Sequence, residues 1–119
     1  MAHSVEMGKD GILYAAIIGD MDEPSMQAYF KDMTAHFEGR DEQSLDILVD
    51  ASREGKISPA ARRVFMDLAT YPQLRKVAIY NATTFSRVLG SFITRILGRK
   101  ELFGFFAEED EAREWLAVK

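Results

Sequence analysis

Short apolar runs separated by turn and loop residues predict the strands of this chain. The run ILYAAIIG at 12–19 is continuously apolar, which is typical of a strand buried on both faces of a sheet. Gly-Lys-Asp-Gly at 8–11 precedes it, and Asp-Gly favours a tight hairpin turn. The predicted strands are residues 3–7, 12–19, 45–50, 76–80 and 102–106.

Between these runs, apolar residues recur at helical spacing. Asp20 or Asp22 can cap a first helix with its side chain. Pro24 then falls in the first turn of this helix, where a proline loses no hydrogen bond. Ser58 and Pro59 begin a second helix in the same way. The third and fourth predicted helices are residues 85–97 and the segment that starts at the acidic residues 108–111. The expected buried stripes are Met26, Phe30, Met33 and Phe37, then Ala61, Val64, Phe65 and Leu68, and finally Ala112, Trp115 and Leu116.

The alternation of strands and helices after the hairpin predicts an α/β fold. We expect a mostly parallel sheet of four to five strands, an N-terminal antiparallel hairpin and four helices. The chain has 119 residues, 47% of them hydrophobic, which fits one domain over residues 1–119 with its own core.

The amino-acid composition limits the cellular compartment and the types of chemistry that this chain can support. The chain has no cysteine, which excludes disulfides and thiolate catalysis and fits a reducing cytoplasm. No apolar stretch reaches the roughly 18 residues of a membrane span. Residues 51–100 carry 10 basic and 2 acidic side chains, whereas residues 1–50 carry 3 basic and 11 acidic ones. The basic block is either neutralised by the acidic flanks or available to anionic groups.

The predicted helix over 85–97 is apolar on one face and basic or small-sided on the other. The simplest interpretation is that the apolar face packs into the hydrophobic core. The other face would also allow packing against a second copy of the chain or contact with an anionic membrane. Our first hypothesis is a non-enzymatic regulatory module that binds an apolar or lipid-like ligand or an anionic membrane surface. The residues assigned to the ligand are Phe85, Leu89, Phe92, Ile93 and Ile96, and those assigned to anionic groups are Arg87, Arg95, Arg99 and Lys100.

Three stretches, DILVDASREGKISPAARRVF, KVAIYNATTFSRVLGSF and EEDEAREWL, resemble the SpoIIAA-like branch of the STAS superfamily in content, order and spacing. This branch is close in architecture to CRAL-TRIO lipid-binding domains. The resemblance implies a bacterial, cytoplasmic protein, at most peripheral to a membrane. It implies either ligand or membrane association, or the function of an anti-sigma-factor antagonist, which binds a protein kinase and is switched by serine phosphorylation.

The family's loop reads Asp-Ser-Ser-Gly at the start of a helix, and its second serine is the phosphate acceptor. With Asp50 as the aspartate that ends the strand, Ala60 lies at the acceptor position and has no hydroxyl. Ser58 before Pro59 is the start of an ordinary helix. Our second hypothesis is therefore a protein-interaction regulator without the usual acceptor serine. Its partner surface would include Ser58, Arg62 and Arg63.

The sequence contains no recognisable catalytic motif, so we do not expect an enzyme or a cofactor. Asp20, Asp50 and Asn81 each follow a predicted strand, where α/β proteins often bind ligands, and two acids with an amide could bind Mg²⁺. Helix capping is the simpler interpretation, and no metal site is predicted. Nucleic-acid binding is not expected either, because no groove-reading or base-stacking motif accompanies the basic block.

Overall fold

The computed structural model describes residues 3–68, 70–81 and 102–118, and five strands in these ranges form one mixed sheet. The strands are β1 (His3–Met7), β2 (Leu13–Met21), β3 (Leu45–Ile57), β4 (Leu74–Tyr80) and β5 (Phe103–Phe106). They lie in sequence order, with β1 antiparallel to β2 and all other neighbours parallel. The predicted α/β class, N-terminal hairpin and mostly parallel sheet are confirmed.

Three helices lie within the described ranges. They are α1 (Glu23–Thr34), α2 (Pro59–Leu68) and α3 (Glu109–Ala117). Asp22 caps α1, because its side chain accepts a hydrogen bond from the Ser25 N–H at 2.9 Å. Hydrogen bonds from Ser25 also hold the pKa of the Asp22 carboxyl below its usual value. The prediction had four helices, and its third, over 85–97, lies outside the described residues.

The main core lies between one face of the sheet and the helices α1 and α2. Alternate residues of the strands point into it, among them Leu13, Ile47 and Val77, which are fully buried. From α1, Met26 and Met33 meet them, as the helical spacing predicted. Along β2, alternate residues are buried in this core, and the residues between them are half-buried. The predicted burial on both faces is therefore complete on one face and only partial on the other.

Helix α3 covers the opposite face of the sheet. Leu48 and Ala78 from the strands and Ala112 and Leu116 from the helix form a second, smaller cluster. Gly104 allows this packing because it has no side chain. A Cβ atom at position 104 would be only 3.0 Å from the Trp115 ring, which is too close for ordinary contact. The small side chains at the contact let the helix lie close to the sheet.

Two basic residues of β4 bind the carboxyl end of α3. The Lys76 ammonium is buried and donates to the carbonyls of Trp115 at 2.9 Å and Val118 at 2.8 Å. It also lies 4.7 Å from the centre of the Trp115 ring. The Arg75 guanidinium binds Asp46 through two hydrogen bonds of 2.8 and 2.6 Å and reaches the Val118 carbonyl. Positive charge is favourable here because the carbonyls at a helix end carry partial negative charge.

The amino half of α3 is tied to the hairpin by a second polar cluster. Arg113 binds Glu109 one turn earlier at 2.6 Å and donates to the Tyr14 hydroxyl at 2.8 Å. The Tyr14 hydroxyl in turn donates to Asp10 in the hairpin turn. This hydrogen bond holds the pKa of the Asp10 carboxyl below its usual value. Polar contacts therefore fix both ends of α3 against the sheet.

The largest differences from the sequence-based boundaries are at the ends of α1 and β3, while the other strand ends shift by one or two residues. Helix α1 ends at Thr34, and Phe37 reaches the core from the turn that follows. Strand β3 continues seven residues past Asp50 to Ile57, over a stretch expected to be a loop. This second difference shapes the surface described next.

Candidate functional site

Residues 51–57, called here the β3 extension, continue the strand beyond the body of the sheet. The pairing of β3 with β4 ends at Asp50 and Tyr80. The pairing with β2 continues, joining Ile18 to Arg53 and Met21 to Ile57, with two irregularities in register. The two strand ends therefore form a two-stranded ribbon that leads directly into α2.

The ribbon is closely packed at one point. A Cβ atom at position 55 would be 2.9 Å from both the Asp20 nitrogen and the Gly19 carbonyl carbon, so Gly55 is required for this approach. Gly19 itself has a positive φ of 75°, which glycine adopts without strain. The Asp20 carboxylate accepts the Lys56 N–H at 2.8 Å. These contacts hold the extension in place although its residues are polar.

Ser58 joins the extension to α2. Its N–H donates to the Met21 carbonyl at 3.0 Å, which closes the ribbon. Its hydroxyl oxygen accepts the Ala61 N–H at 3.1 Å, which is the hydrogen bond of a helix cap. The predicted capping function of Ser58 is confirmed. Ala60, at the position of the family's acceptor serine, is half-buried in the first turn.

The outer surface of this segment is exposed and mostly basic. Arg53 and Lys56 on the extension and Arg63 on α2 are exposed, while Glu54 is half-buried. Arg62 lies in the same turns of α2. Exposed polar residues held on a paired strand offer a fixed pattern of side chains to another molecule.

The aspartates at the ends of β2 and β3 accept hydrogen bonds from nearby backbone groups. The Asp50 carboxylate accepts the Ser52 N–H at 2.9 Å, and Asp20 is engaged with Lys56. Burial raises the pKa of Tyr80 to about 12, with further contributions from the negative charges of Asp50 and Glu109. Across the described ranges, no three His, Asp or Glu side chains come together as a metal-binding group.

The residues assigned to an apolar ligand and to anionic groups lie outside the described part of the chain. They are Phe85, Leu89, Phe92, Ile93 and Ile96, with Arg87, Arg95, Arg99 and Lys100. Their assignment stays a prediction. The helices that the structure does describe are too short or too polar to cross a membrane.

Sequence reasoning placed Ser58, Arg62 and Arg63 at this surface. It named Asp20 only as a possible helix cap or ligand residue and missed Gly55, although these two residues position the surface. A signal was present, since an isolated glycine within a strand often marks a close backbone approach. The polar residues around Gly55 obscured it by resembling a loop.

The family model for SpoIIAA-like proteins matches residues 12–117. The chain belongs to the SpoIIAA-like family. The match includes the β3 extension, α2 and α3, and it confirms the family suggested by the three sequence stretches. The likeness to CRAL-TRIO domains stays a prediction.

Solved structures with the same fold agree with this assignment. An uncharacterised protein of the DUF3478 family from Shewanella loihica PV-4, described as having a SpoIIAA-like fold, matches with a TM-score of 0.71 and 18% identity, over 98% of this chain and 93% of its own. The anti-sigma factor antagonist SpoIIAA in its unphosphorylated form matches with a TM-score of 0.66 and 15% identity, over 99% of this chain and 100% of its own. Among curated proteins, no match is found. At these identities the structural likeness establishes the fold of this SpoIIAA-like protein.

Proposed function

We propose that this SpoIIAA-like protein is a non-enzymatic regulatory module that binds a protein partner through the β3 extension and the first turns of α2. The observation that carries the proposal is the exposure of Arg53 and Lys56 on a strand that is already paired with β2. Because this backbone is ordered before binding, association does not have to fix it. Such a surface suits recognition by another protein.

The charge of the surface indicates what the partner offers. Residues 51–63 carry four basic side chains, at positions 53, 56, 62 and 63, and one acid, Glu54. A partner with an acidic patch would be attracted and oriented by this segment. Raised ionic strength should then slow association, because exposed charges are screened by salt.

The comparisons support a protein partner in general terms. One solved structure of the same fold is named as an anti-sigma factor antagonist, a regulator defined by its action on another protein. The family relationship makes a regulatory, non-enzymatic function the best-supported class for this chain. A bacterial, cytoplasmic setting is part of the same proposal.

Partner binding at this surface would not be switched by phosphorylation at the family's usual position. Ala60 has no hydroxyl to accept a phosphoryl group. Ser58, the nearest hydroxyl, accepts the Ala61 N–H as a helix cap and is partly buried. We therefore propose that this regulator binds its partner without a phosphoserine switch in this segment.

Charge reversal on the extension tests the proposal. The purified protein would be used to capture partners from an extract of its source organism, and a captured protein would be purified and titrated by calorimetry. The Arg53→Glu and Lys56→Glu variants should each bind about tenfold more weakly or worse, because like charges then face each other. Thermal unfolding should be unchanged, since both side chains are exposed.

Lys9→Glu provides the matched control. Lys9 is an exposed lysine in the hairpin turn before β2, at the end of the sheet opposite the extension. It should leave partner affinity unchanged. Equal loss of affinity in Lys9→Glu and Lys56→Glu would indicate a general charge effect and would refute the proposed surface.

The membrane hypothesis stays a separate prediction, supported by the absence of any acid between Tyr71 and Lys100. It assigns an apolar ligand or an anionic membrane surface to residues 85–97. Phe92→Asp should then abolish binding to anionic vesicles while the protein stays folded. If the wild type does not bind such vesicles or any lipid extract, this hypothesis is wrong.

A further inference from the structure

A cleft of about 500 Å³ opens between α1, the end of α2 and the start of β4. The volume is within the range of ligand sites in proteins. The cleft lies at the amino end of β4, whereas the β3 extension lies at the carboxyl ends of the parallel strands, so the two surfaces are at opposite ends of the sheet. Its described lining residues are Phe30, Asp67, Thr70, Tyr71, Pro72 and Gln73.

Aromatic rings form one part of the lining. The Phe30 and Tyr71 rings meet edge to face, with centroids 5.5 Å apart and planes inclined by 64°. Phe37, which is buried, supports Tyr71 from behind with a second edge-to-face contact of 5.2 Å. Aromatic faces carry partial negative charge, so a rigid aromatic wall of this kind attracts cations.

Hydrogen-bond acceptors form another part. The Thr70 N–H and hydroxyl both donate to the Asp67 carbonyl, at 3.1 and 2.6 Å, which fixes the turn after α2. The Thr70 hydroxyl oxygen therefore keeps its lone pairs as acceptors. The Asp67 side chain is exposed and adds a carboxylate.

Gln73 adds an acceptor of a different kind. Its backbone carbonyl accepts the Ser44 and Leu45 N–H groups, both at 3.0 Å, which fixes the residue at the start of β4. Its side-chain oxygen is buried and has no hydrogen-bond partner in the described part of the chain. A buried acceptor without a donor is unfavourable, so a rotation of this amide toward a donor in the cleft would be stabilising.

From this lining we propose that the cleft binds an organic cation, namely a guanidinium or ammonium group. The described lining residues supply aromatic faces, a carboxylate and neutral acceptors, and none of them is positively charged. Such a group supplies the N–H donors that the acceptors need and the positive charge that the rings and Asp67 favour. The proposal does not depend on the partner surface and can fail or hold without it.

Titration with a charged probe and its neutral analogue tests the site. N-acetyl-arginine amide and N-acetyl-citrulline amide have nearly the same shape, but only the first is a cation. Each would be added to isotope-labelled protein, with the backbone amides of Thr70 and Gln73 followed by NMR. The arginine probe should shift these resonances saturably and the citrulline probe should not. Equal binding of the two probes, or no binding of the arginine probe, would overturn the proposal.

Asp67→Asn is the variant of choice, because the side chain is exposed and the change keeps its shape. It should weaken binding of the arginine probe about threefold to fivefold, the range of an exposed ion pair. Asp110→Asn, an exposed aspartate on α3 across the sheet, is the matched control and should leave affinity unchanged. Unchanged affinity in Asp67→Asn would also contradict the proposal.

A third probe, agmatine, distinguishes the source of the cation. Agmatine carries the guanidinium group without the peptide units that flank an arginine in a protein. Binding of agmatine as tight as that of the arginine probe supports a site for free amines. Binding of the arginine probe alone supports a site for a basic side chain of a protein or peptide.

Discussion

Gly55 lies against Asp20, a residue 35 positions earlier in the chain, so closely that no side chain fits between them. A Cβ atom at position 55 would be 2.9 Å from the Asp20 nitrogen, a backbone atom that cannot move without disturbing β2. The next residue, Lys56, donates its N–H to the Asp20 carboxylate at 2.8 Å. This contact makes the β3 extension an ordered strand rather than a loop.

Gly55→Ala should therefore loosen the extension. The added methyl group overlaps backbone atoms, and such overpacking typically costs about 1–3 kcal/mol of the free energy of unfolding. Chemical denaturation measures the loss. Hydrogen exchange should also accelerate at the Lys56 and Ser58 amides, which donate to Asp20 and Met21.

Gly39→Ala is the comparison for this variant. Gly39 has a positive φ of 77° and open space around it, so an added methyl group meets only backbone strain. We expect a loss of about 1 kcal/mol without faster exchange at Lys56. Normal exchange at Lys56 in Gly55→Ala would show that the close approach does not hold the extension.

Ser58 is predicted to act as a cap and not as a switch. Ser58→Ala removes the acceptor of the Ala61 N–H and should lower the free energy of unfolding by about 1 kcal/mol. Ser58→Asp should retain stability, because aspartate is an equally good cap. The added charge should weaken partner binding no more than Arg53→Glu does, because it acts on the same basic surface. A much larger loss of affinity with intact stability would identify a specific switch at this position.

The buried ammonium of Lys76 is predicted to hold α3 on the sheet. Lys76→Met keeps most of the stem but leaves the Trp115 and Val118 carbonyls without this donor. We expect a loss of about 1–3 kcal/mol in the free energy of unfolding. Trp115, the single tryptophan of the chain, reports the change through its fluorescence. Lys9→Met, at an exposed site, should be neutral, and equal stability of the two variants would contradict the assignment.

Titration of Tyr80 should make the free energy of unfolding of this protein depend on pH in the alkaline range. The pKa of Tyr80 is raised from 10.0 to about 12, mainly by burial, so the folded protein keeps a proton that the unfolded chain loses. The resulting stabilisation is complete below pH 10.0 and is lost as the pH rises through about 12. Tyr80→Phe lacks this titration. The difference in unfolding free energy between wild type and Tyr80→Phe should therefore fall in that interval, whereas a constant difference would refute the shift.

Much of the fold follows from local patterns. The apolar runs and the hairpin turn located the strands, and Asp22 and Ser58 begin helices as their side chains predict. These features depend on neighbours within a few residues. Phe37 shows the limit, because it continues the helical spacing of α1 and is buried, yet the helix ends at Thr34.

The features that were missed depend on contacts between distant residues. The β3 extension has the composition of a loop and becomes a strand only through its pairing with the end of β2. Lys76 is buried because the carbonyls at the end of α3, about forty positions later, can accept its N–H groups. The Arg113 contact with Tyr14 joins still more distant parts of the chain. Local periodicity contains no information about such pairs.

Contact between the β3 extension and a protein partner can be tested directly by site-specific photo-crosslinking. A photoreactive amino acid would replace Arg53 in one variant and Lys9 in another, both exposed positions, and each variant would be irradiated with extract from the source organism. We expect one protein to be crosslinked from position 53, and excess unlabelled wild type should compete for it. The same protein should not be crosslinked from position 9. Crosslinking of that protein from position 9 but not from position 53, or no competable product from position 53, would contradict the proposed contact.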